Sequence, residues 1–235
     1  GLGLPEPGTG IVNLGTGAFI LMSTGEKRVR QPRLVSGLAS SDARRRNYSI
    51  EGTVNGAAAA IKWAAEEWNI PHIDEHLHEW LATEYDPPLF LNTIGGLGSP
   101  FWQPGPEPAI LQPAGSKREY STRQKVVAVV ESILFLLQIN MDAISALGLE
   151  TNRLRVSGGL ANVDALCQRL ADLSGKPVYR PKETEATARG AAWLASGRPS
   201  HWPEAEPGDD FLPEYDPALV ARYEAFRSEL GARLY

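Results

Sequence analysis

Two glycine turns and a pair of histidines are the residues of this chain whose types and spacing could do chemistry. Asn13-Leu14-Gly15-Thr16-Gly17-Ala18-Phe19 lies between two stretches of strand character, Ile11 to Leu14 and Ala18 to Met22. Glycines there permit a tight turn whose successive backbone N–H groups converge on an anion, and the Thr16 hydroxyl adds a donor for a phosphate oxygen. An ordinary hairpin turn has the same composition, so the motif alone does not separate the two readings. Ser157-Gly158-Gly159-Leu160-Ala161-Asn162 follows a predicted strand, Arg153 to Ser157, and opens a helix. Absence of side chains at that turn lets a planar base or a phosphate lie on the backbone near the positive end of the helix dipole. The same residues also suit a turn that merely needs a positive φ. Neither a dinucleotide fingerprint nor a P-loop is present: G-x-G-x-x-G does not occur here, and Gly175-Lys176 is followed by Pro177 where Ser or Thr is needed.

His72-Ile73-Asp74-Glu75-His76 matches the H-x-x-E-H pattern of inverted zinc peptidases. It follows Pro71 in the first turn of a surface-type helix, and His78 and His201 offer no obvious third ligand for a catalytic zinc. Solvated helix polarity is the better account. Glu131 lies inside an otherwise apolar helix, where an unpaired charge is expensive, so a partner is expected and no catalytic role is assigned. Cys167, the single cysteine, falls in an apolar helical stretch and reads as a buried structural thiol. With one cysteine no intramolecular disulfide forms, which fits a reducing, cytoplasmic location.

The elements that must carry these residues follow from periodicity. Ile11 to Leu14, Ala18 to Met22 and Arg46 to Ile50 predict an antiparallel meander, with a polar turn around Asp42. A helix is predicted over Thr53 to Trp68, where Val54, Ala58, Ile61, Ala65 and Trp68 recur at spacings of four and three. Its start, Gly56-Ala57-Ala58-Ala59-Ala60, has so little bulk that strand backbone or a ligand could approach closely. A weaker helix follows over Ile73 to Thr83. Asp86 to Pro113 is rich in Gly and Pro and reads as a long irregular connection, of the kind that tends to be functional. Ser121 to Gly148 predicts a central helix, apolar over most of its surface yet carrying Glu131, Gln138, Asn140 and Asp142, and therefore buried in a core rather than in a membrane. Then come the strand Arg153 to Ser157, a helix from about Asn162 to Ser174, a strand at Val178-Tyr179 and a helix over Glu183 to Ala195, a βαβα unit. A Pro-rich acidic stretch from Ser200 to Pro217 ends in a helix over Pro217 to Leu234.

Meander first and βα alternation later predict one α/β domain with a mixed sheet and flanking helices. With 235 residues, 43% of them hydrophobic, the chain buries a sizeable core. A net charge of -5 gives no basic field for nucleic acid or an anionic membrane, so neither is an expected partner. The chain begins at Gly1 with neither an initiator methionine nor a signal-like segment, and reads as a piece of something longer.

Taken in order, the motifs resemble the C-terminal half of the FGGY family of carbohydrate kinases, in its glycerol kinase-like branch. Carrying the resemblance are Asn13-Leu-Gly-Thr-Gly-Ala-Phe19, Glu51-Gly-Thr-Val54 with the small-residue helix ending Ile61-Lys62-Trp63, Gly96-Leu-Gly-Ser-Pro-Phe-Trp102, Val130-Glu-Ser-Ile133, Gly158-Gly-Leu-Ala-Asn162 and Glu185-Ala-Thr-Ala-Arg-Gly-Ala-Ala192. The resemblance covers nearly the whole chain. It implies an actin-like, ribonuclease H-like fold and an ATP-dependent transfer of phosphoryl to a sugar or polyol hydroxyl. Residues 1–235 would be the nucleotide-binding domain, with the N-terminal sugar-binding domain absent from this chain. By resemblance, Gly15, Thr16 and Gly17 hold the terminal phosphates of ATP, and Gly158, Gly159 and Asn162 line the adenosine pocket. Ala58 and Lys62 match positions flanking the nucleotide where Gly and Gln are usual, and Phe19 matches an aromatic bordering the sugar or polyol. The family's general-base Asp, in a Gly-Asp-Gln-like motif, has no counterpart in this sequence, and Mg²⁺ is positioned mainly by the N-terminal domain. This fragment alone is therefore expected to be inactive. At Gln103-Pro-Gly-Pro-Glu-Pro108 the chain also lacks an Arg usual in glycerol kinases. A degenerate or free-standing nucleotide-binding module without phosphoryl transfer is the alternative, and self-association into a homo-oligomer through an exposed cleft face is left open.

Overall fold

A computed structural model describes residues 1–2, 8–112, 117–201 and 206–234. Along the chain run β1 (Thr9–Leu14), β2 (Ala18–Gly25), β3 (Val35–Ser41), β4 (Arg46–Val54), α1 (Ala58–Glu67), α2 (Ile73–Thr83), β5 (Leu89–Leu91), β6 (Ala109–Leu111) and α3 (Thr122–Ser145). Then follow β7 (Arg153–Ser157), a 3-10 turn (Gly159–Asn162), α4 (Asp164–Ser174), β8 (Val178–Arg180), α5 (Ala186–Ala195), β9 (Asp209–Phe211) and α6 (Pro217–Leu234). Seven strands form one mixed sheet in the order β3-β4-β2-β1-β7-β8-β9, and β5 pairs with β6 separately. The first four are antiparallel neighbours, β1-β7 and β7-β8 are parallel, and β9 is antiparallel to β8.

Strict alternation divides the sheet into two unlike faces. Val12, Leu14, Ala18, Ile20, Met22, Ile50, Val54 and Val156 point inward and are buried. Beneath them lies α3, packed against β2, β4 and β5. It begins at Ser121, whose hydroxyl accepts from Gln124 N–H while the Gln124 side chain accepts from Ser121 N–H, a reciprocal capping box. By length and composition α3 could cross a membrane, yet 78% of its most apolar stretch is buried inside the molecule. It is the floor on which the sheet rests.

Glu131, 1% exposed in the middle of α3, has the partners its position demands. Arg169 of α4 donates to its Oε1, and Arg222 of α6 donates to both oxygens, at 2.6 and 2.8 Å. Arg169 also donates to the carbonyls of Leu81 and Glu84, and Arg222 to that of Tyr85. One carboxylate thus ties α3 to α4, α6 and the end of α2. Cys167, also buried, has its thiol pushed up to about 12 by burial, as befits an inert structural side chain.

Several expected boundaries shift. The helix expected from Thr53 begins at Ala58, because Thr53 and Val54 pair with Phe19 and Ala18 as the last rungs of β4. Val54 satisfies the helical spacing to Ala58 and the strand alternation equally, and the buried rung beside Ala18 decides between them. Strand β3, absent from the three-strand meander, is the mostly exposed edge Val-Ser-Gly-Leu-Ala-Ser-Ser, which has little apolar pattern to read. The 86–113 segment contains the short β5-β6 pair, and 200–217 contains β9; residues 113 and 202–205 of these segments lie outside the described residues. The second glycine turn opens a 3-10 turn before α4 starts at Asp164.

Candidate functional site

Three hydrogen bonds define the first glycine turn. The carbonyl of Gly15 accepts from Ala58 N–H, and that of Thr16 accepts from both Ala57 and Ala59 N–H, each at 3.1 Å. The start of α1, which has no side-chain cap, is therefore capped by the turn's own backbone. This explains the run of small residues at 56–60: the approaching partner is backbone. A second consequence comes from the trans peptide, in which carbonyl oxygen and amide hydrogen point in opposite directions. With the Gly15 and Thr16 carbonyls turned onto α1, the N–H groups of Thr16 and Gly17 point away from it. Two successive N–H groups so directed, beside the exposed Thr16 hydroxyl, form a donor set suited to an anion. Gly15 N–H itself is turned inward to Gly17 carbonyl oxygen, at 2.9 Å.

Parallel pairing of β1 with β7 brings the second glycine turn alongside, since Asn13 stands opposite Ser157. Asn13 Nδ2 donates to Ser157 Oγ at 3.2 Å. Gly158 has φ +93°, and a Cβ there would lie 2.6 Å from the carbonyl oxygen of Leu14, the residue before Gly15. Only glycine fits, and the two turns are in backbone contact. Gly159 contrasts with it: a Cβ at this position meets nothing within 4 Å, and the residue is exposed. Asn162, at the end of the 3-10 turn, is exposed on the same short element.

Structure therefore brings Gly15, Thr16, Gly17, Ala58 and Gly158 into one contact set, with Gly159 and Asn162 immediately beyond. Lys62 stands one helical turn after Ala58; its ammonium is exposed and lies 3.8 Å from Glu66, a weak solvated pair. Phe19 lies on the outward face of the sheet, in a row Thr53-Phe19-Asn13-Ser157 set by strand register. A cavity of about 650 Å³ opens over that face, and Phe19, Asn13, Ser157 and Glu51 line it. At the end of β4, Asn55 Nδ2 donates to the carbonyls of Gly95 and Gly96, and Ser99 Oγ accepts from Thr53 N–H, so the Gly- and Pro-rich 95–102 segment closes over this end of the sheet.

Glu51, Asn13 and Ser157 were not singled out as site residues from sequence. Alternation carried the signal: Glu51 has the same strand parity as Thr53, which pairs with Phe19, so both acidic and aromatic side chains face the same side. The histidine pair is not assembled as a helical i, i+4 set. His72 precedes α2 in a left-handed conformation (φ 51°), and His76 stacks on Trp80. Among the described residues no group of three His, Cys, Asp or Glu side chains is placed to hold a metal ion.

Comparison with known proteins gives these features a context. Residues 10–197 match the model of the FGGY family of carbohydrate kinases, C-terminal domain. Glycerol kinase from Shewanella woodyi is 34% identical over 207 residues, covering 84% of this chain and 40% of that protein. Glycerol kinase from Xanthobacter autotrophicus is 35% identical over 201 residues, covering 81% of this chain and 39% of that protein. The chain thus spans about two fifths of the length of these curated relatives. Among solved structures, Plasmodium falciparum glycerol kinase with ADP superposes with a TM-score of 0.80 at 23% identity, covering 96% of this chain and 47% of that one. The likeness establishes the fold, that of an actin-like ATPase domain.

Proposed function

The chain belongs to the FGGY family of carbohydrate kinases as a C-terminal domain, and from that premise we propose that it is the ATP-binding half of an enzyme that phosphorylates a sugar or polyol hydroxyl. The observation that carries the reading is the joined pair of glycine turns, one presenting outward N–H groups and a hydroxyl, the other leaving open space at Gly159. In this reading the N–H groups of Thr16 and Gly17, with the Thr16 hydroxyl, bind the terminal phosphates of ATP. Gly15 supports them by fixing its carbonyl on α1. The adenosine lies over Gly158 and Gly159 with Asn162 at its edge, and Ala58 and Lys62 flank the nucleotide across the turn.

Donors fixed before the reaction stabilise charge on the transferring phosphoryl group without reorganising, and most of phosphoryl-transfer catalysis is positioning and electrostatics of this type. Mg²⁺ would screen the phosphates and is held in this reading by the N-terminal domain. Deprotonation of the acceptor hydroxyl also falls to that domain. Phe19 faces the acceptor side. Support for a covering partner comes from α5, whose sequence Ala-Thr-Ala-Arg-Gly-Ala-Ala-Trp-Leu-Ala is largely apolar although none of its residues is buried. Such a helix fits a domain that packs against the rest of a longer chain.

Calorimetric titration with Mg-ATP and with AMP tests the nucleotide site, on this chain and on the full-length protein that contains it. A hydrogen bond to a charged group contributes about 1.5–3 kcal/mol, so Thr16→Val should weaken ATP binding roughly tenfold or more and leave AMP within twofold. Equal losses for the two nucleotides would refute the phosphate role of Thr16. Failure of the full-length protein to bind ATP at millimolar concentration would refute the kinase reading and leave a nucleotide-free relative of the fold.

A further inference from the structure

One carboxylate on the outward face of the sheet has no part in holding the nucleotide. Glu51 pairs in register with Leu21, one rung away from the Thr53-Phe19-Asn13-Ser157 row, and lines the same cavity as Phe19. It is half-buried, and its Oε1 accepts from Thr53 Oγ1 at 3.2 Å. No arginine, lysine or histidine among the described residues pairs with it. Burial without a cation raises its carboxyl above the ordinary glutamate range, with the Thr53 hydroxyl opposing in part.

A carboxylate accepts at both oxygens, and one hydroxyl leaves most of that capacity unused. Beside it the cavity floor is apolar, made by Leu21, Ile11 and Phe19. Acceptor oxygens at the edge of an apolar floor complement a polyhydroxylated molecule, whose C–H face packs on the ring and the aliphatic side chains while its O–H groups need acceptors. We propose that Glu51 accepts a hydrogen bond from a hydroxyl of the alcohol substrate other than the one phosphorylated, and thereby sets which polyol or sugar is used. This inference rests on the kinase reading and deepens it. A site built to bond a hydroxyl discriminates strongly against the analogue lacking it, because the site's own polar group is then left unpaired.

The test uses the full-length enzyme that carries this domain, a panel of polyols and sugars, and deoxy analogues each lacking one hydroxyl. In Glu51→Gln the KM for the best acceptor should rise tenfold or more while the KM for ATP stays within twofold. One deoxy analogue should be used equally well by the wild type and the variant, which identifies the hydroxyl that Glu51 binds. Glu51→Asp, which keeps the charge one methylene shorter, should fall between them, and it serves if the Gln variant folds poorly. An unchanged acceptor KM in Glu51→Gln overturns the role. So does a parallel rise in both KM values with a lowered thermal midpoint, which would place Glu51 in the packing of the two domains. An enzyme that phosphorylates no hydroxyl compound refutes the kinase reading and this role with it, whereas wild-type KM values in the variant refute this role alone.

Discussion

Glu131 and Glu51 lie on opposite sides of the same sheet and differ in what their oxygens meet. Glu131, 1% exposed, receives Arg169 and Arg222 on both oxygens, and those arginines spend their remaining donors on carbonyls at the end of α2 and just after it. Glu51, half-buried, receives one threonine hydroxyl. A fully desolvated charge survives only when its partners are complete, so the first cluster is closed and has nothing to offer a ligand. A partly solvated carboxylate tolerates incomplete partnering, and that incompleteness is what a ligand can use. The contrast extends to the backbone. The start of α3 is satisfied by its own Ser121 and Gln124, whereas the start of α1 is satisfied by the glycine loop, and the loop's amides are thereby turned outward.

The largest expected effect comes from breaking the closed side. Glu131→Ala leaves the buried guanidinium of Arg169 and the partly buried one of Arg222 without their counter-ion, and loss of one partner of a buried pair costs about 3–5 kcal/mol. Urea unfolding should show the midpoint falling by that equivalent with the slope unchanged. ATP affinity of the molecules that remain folded should match the wild type, because no part of the cluster reaches the glycine turns. A loss under about 1 kcal/mol would mean that the arginines find solvent, and the two carboxylates would then differ in degree only.

A narrower test compares two adjacent glycines. Gly158→Ala forces a Cβ to within 2.6 Å of Leu14 carbonyl oxygen at φ +93°, and backbone strain of this sort costs about 1–3 kcal/mol. Thermal unfolding and ATP titration should both report it, since the clash displaces the residue that leads into the phosphate turn. Gly159→Val should leave stability within about 1 kcal/mol, because the added atoms enter open space. It should nevertheless weaken ATP and AMP alike, by filling the place assigned to adenosine. Wild-type affinity in Gly159→Val would move the adenosine pocket elsewhere.

The features legible in the sequence were those that obey a local rule. Ile73–Thr83, Arg153–Ser157 and Pro217–Leu234 were expected with the same bounds as observed, and both glycine turns fell at strand ends as their composition required. The need for a partner at Glu131 was legible as well, though not its identity, because Arg169 and Arg222 are 38 and 91 residues away in sequence. What stayed hidden depends on pairing over distance. Strand β3 is visible only because β4 lies beside it, and β9, an Asp-Asp-Phe tripeptide, only because β8 offers an edge. Contact of Gly158 with Leu14 follows from the parallel register of β1 and β7, which no local pattern encodes. Glu51 stayed hidden as a site residue because the sequence reading ends its strand at Ile50 and starts the next helix at Thr53, so only the longer observed β4 sets it on the face of Phe19. Its motif, Glu51-Gly-Thr-Val54, marks the family without assigning it a role.

The smallest effect, and the one that most sharpens the contrast between the two carboxylates, is on stability against pH in Glu51→Gln. The folded-state carboxyl of Glu51 is raised by burial, so the folded protein binds a proton there more tightly than the unfolded chain does. Above both titrations the ionised group is a burden on the fold. As pH falls through the raised folded value the group takes up its proton and the burden is relieved, down to the unfolded value, below which nothing further changes. Glutamine has the same shape and no charge, so at neutral pH the variant should equal or slightly exceed the wild type in thermal midpoint, and the difference should shrink on acidification from pH 7 toward 4.5. Removing Glu131 should show no such gain at any pH in that range. A Glu51→Gln variant that loses stability at pH 7 would mean that an ionised Glu51 is held by favourable partners, and the two sides of the sheet would then be managing their charges in the same way.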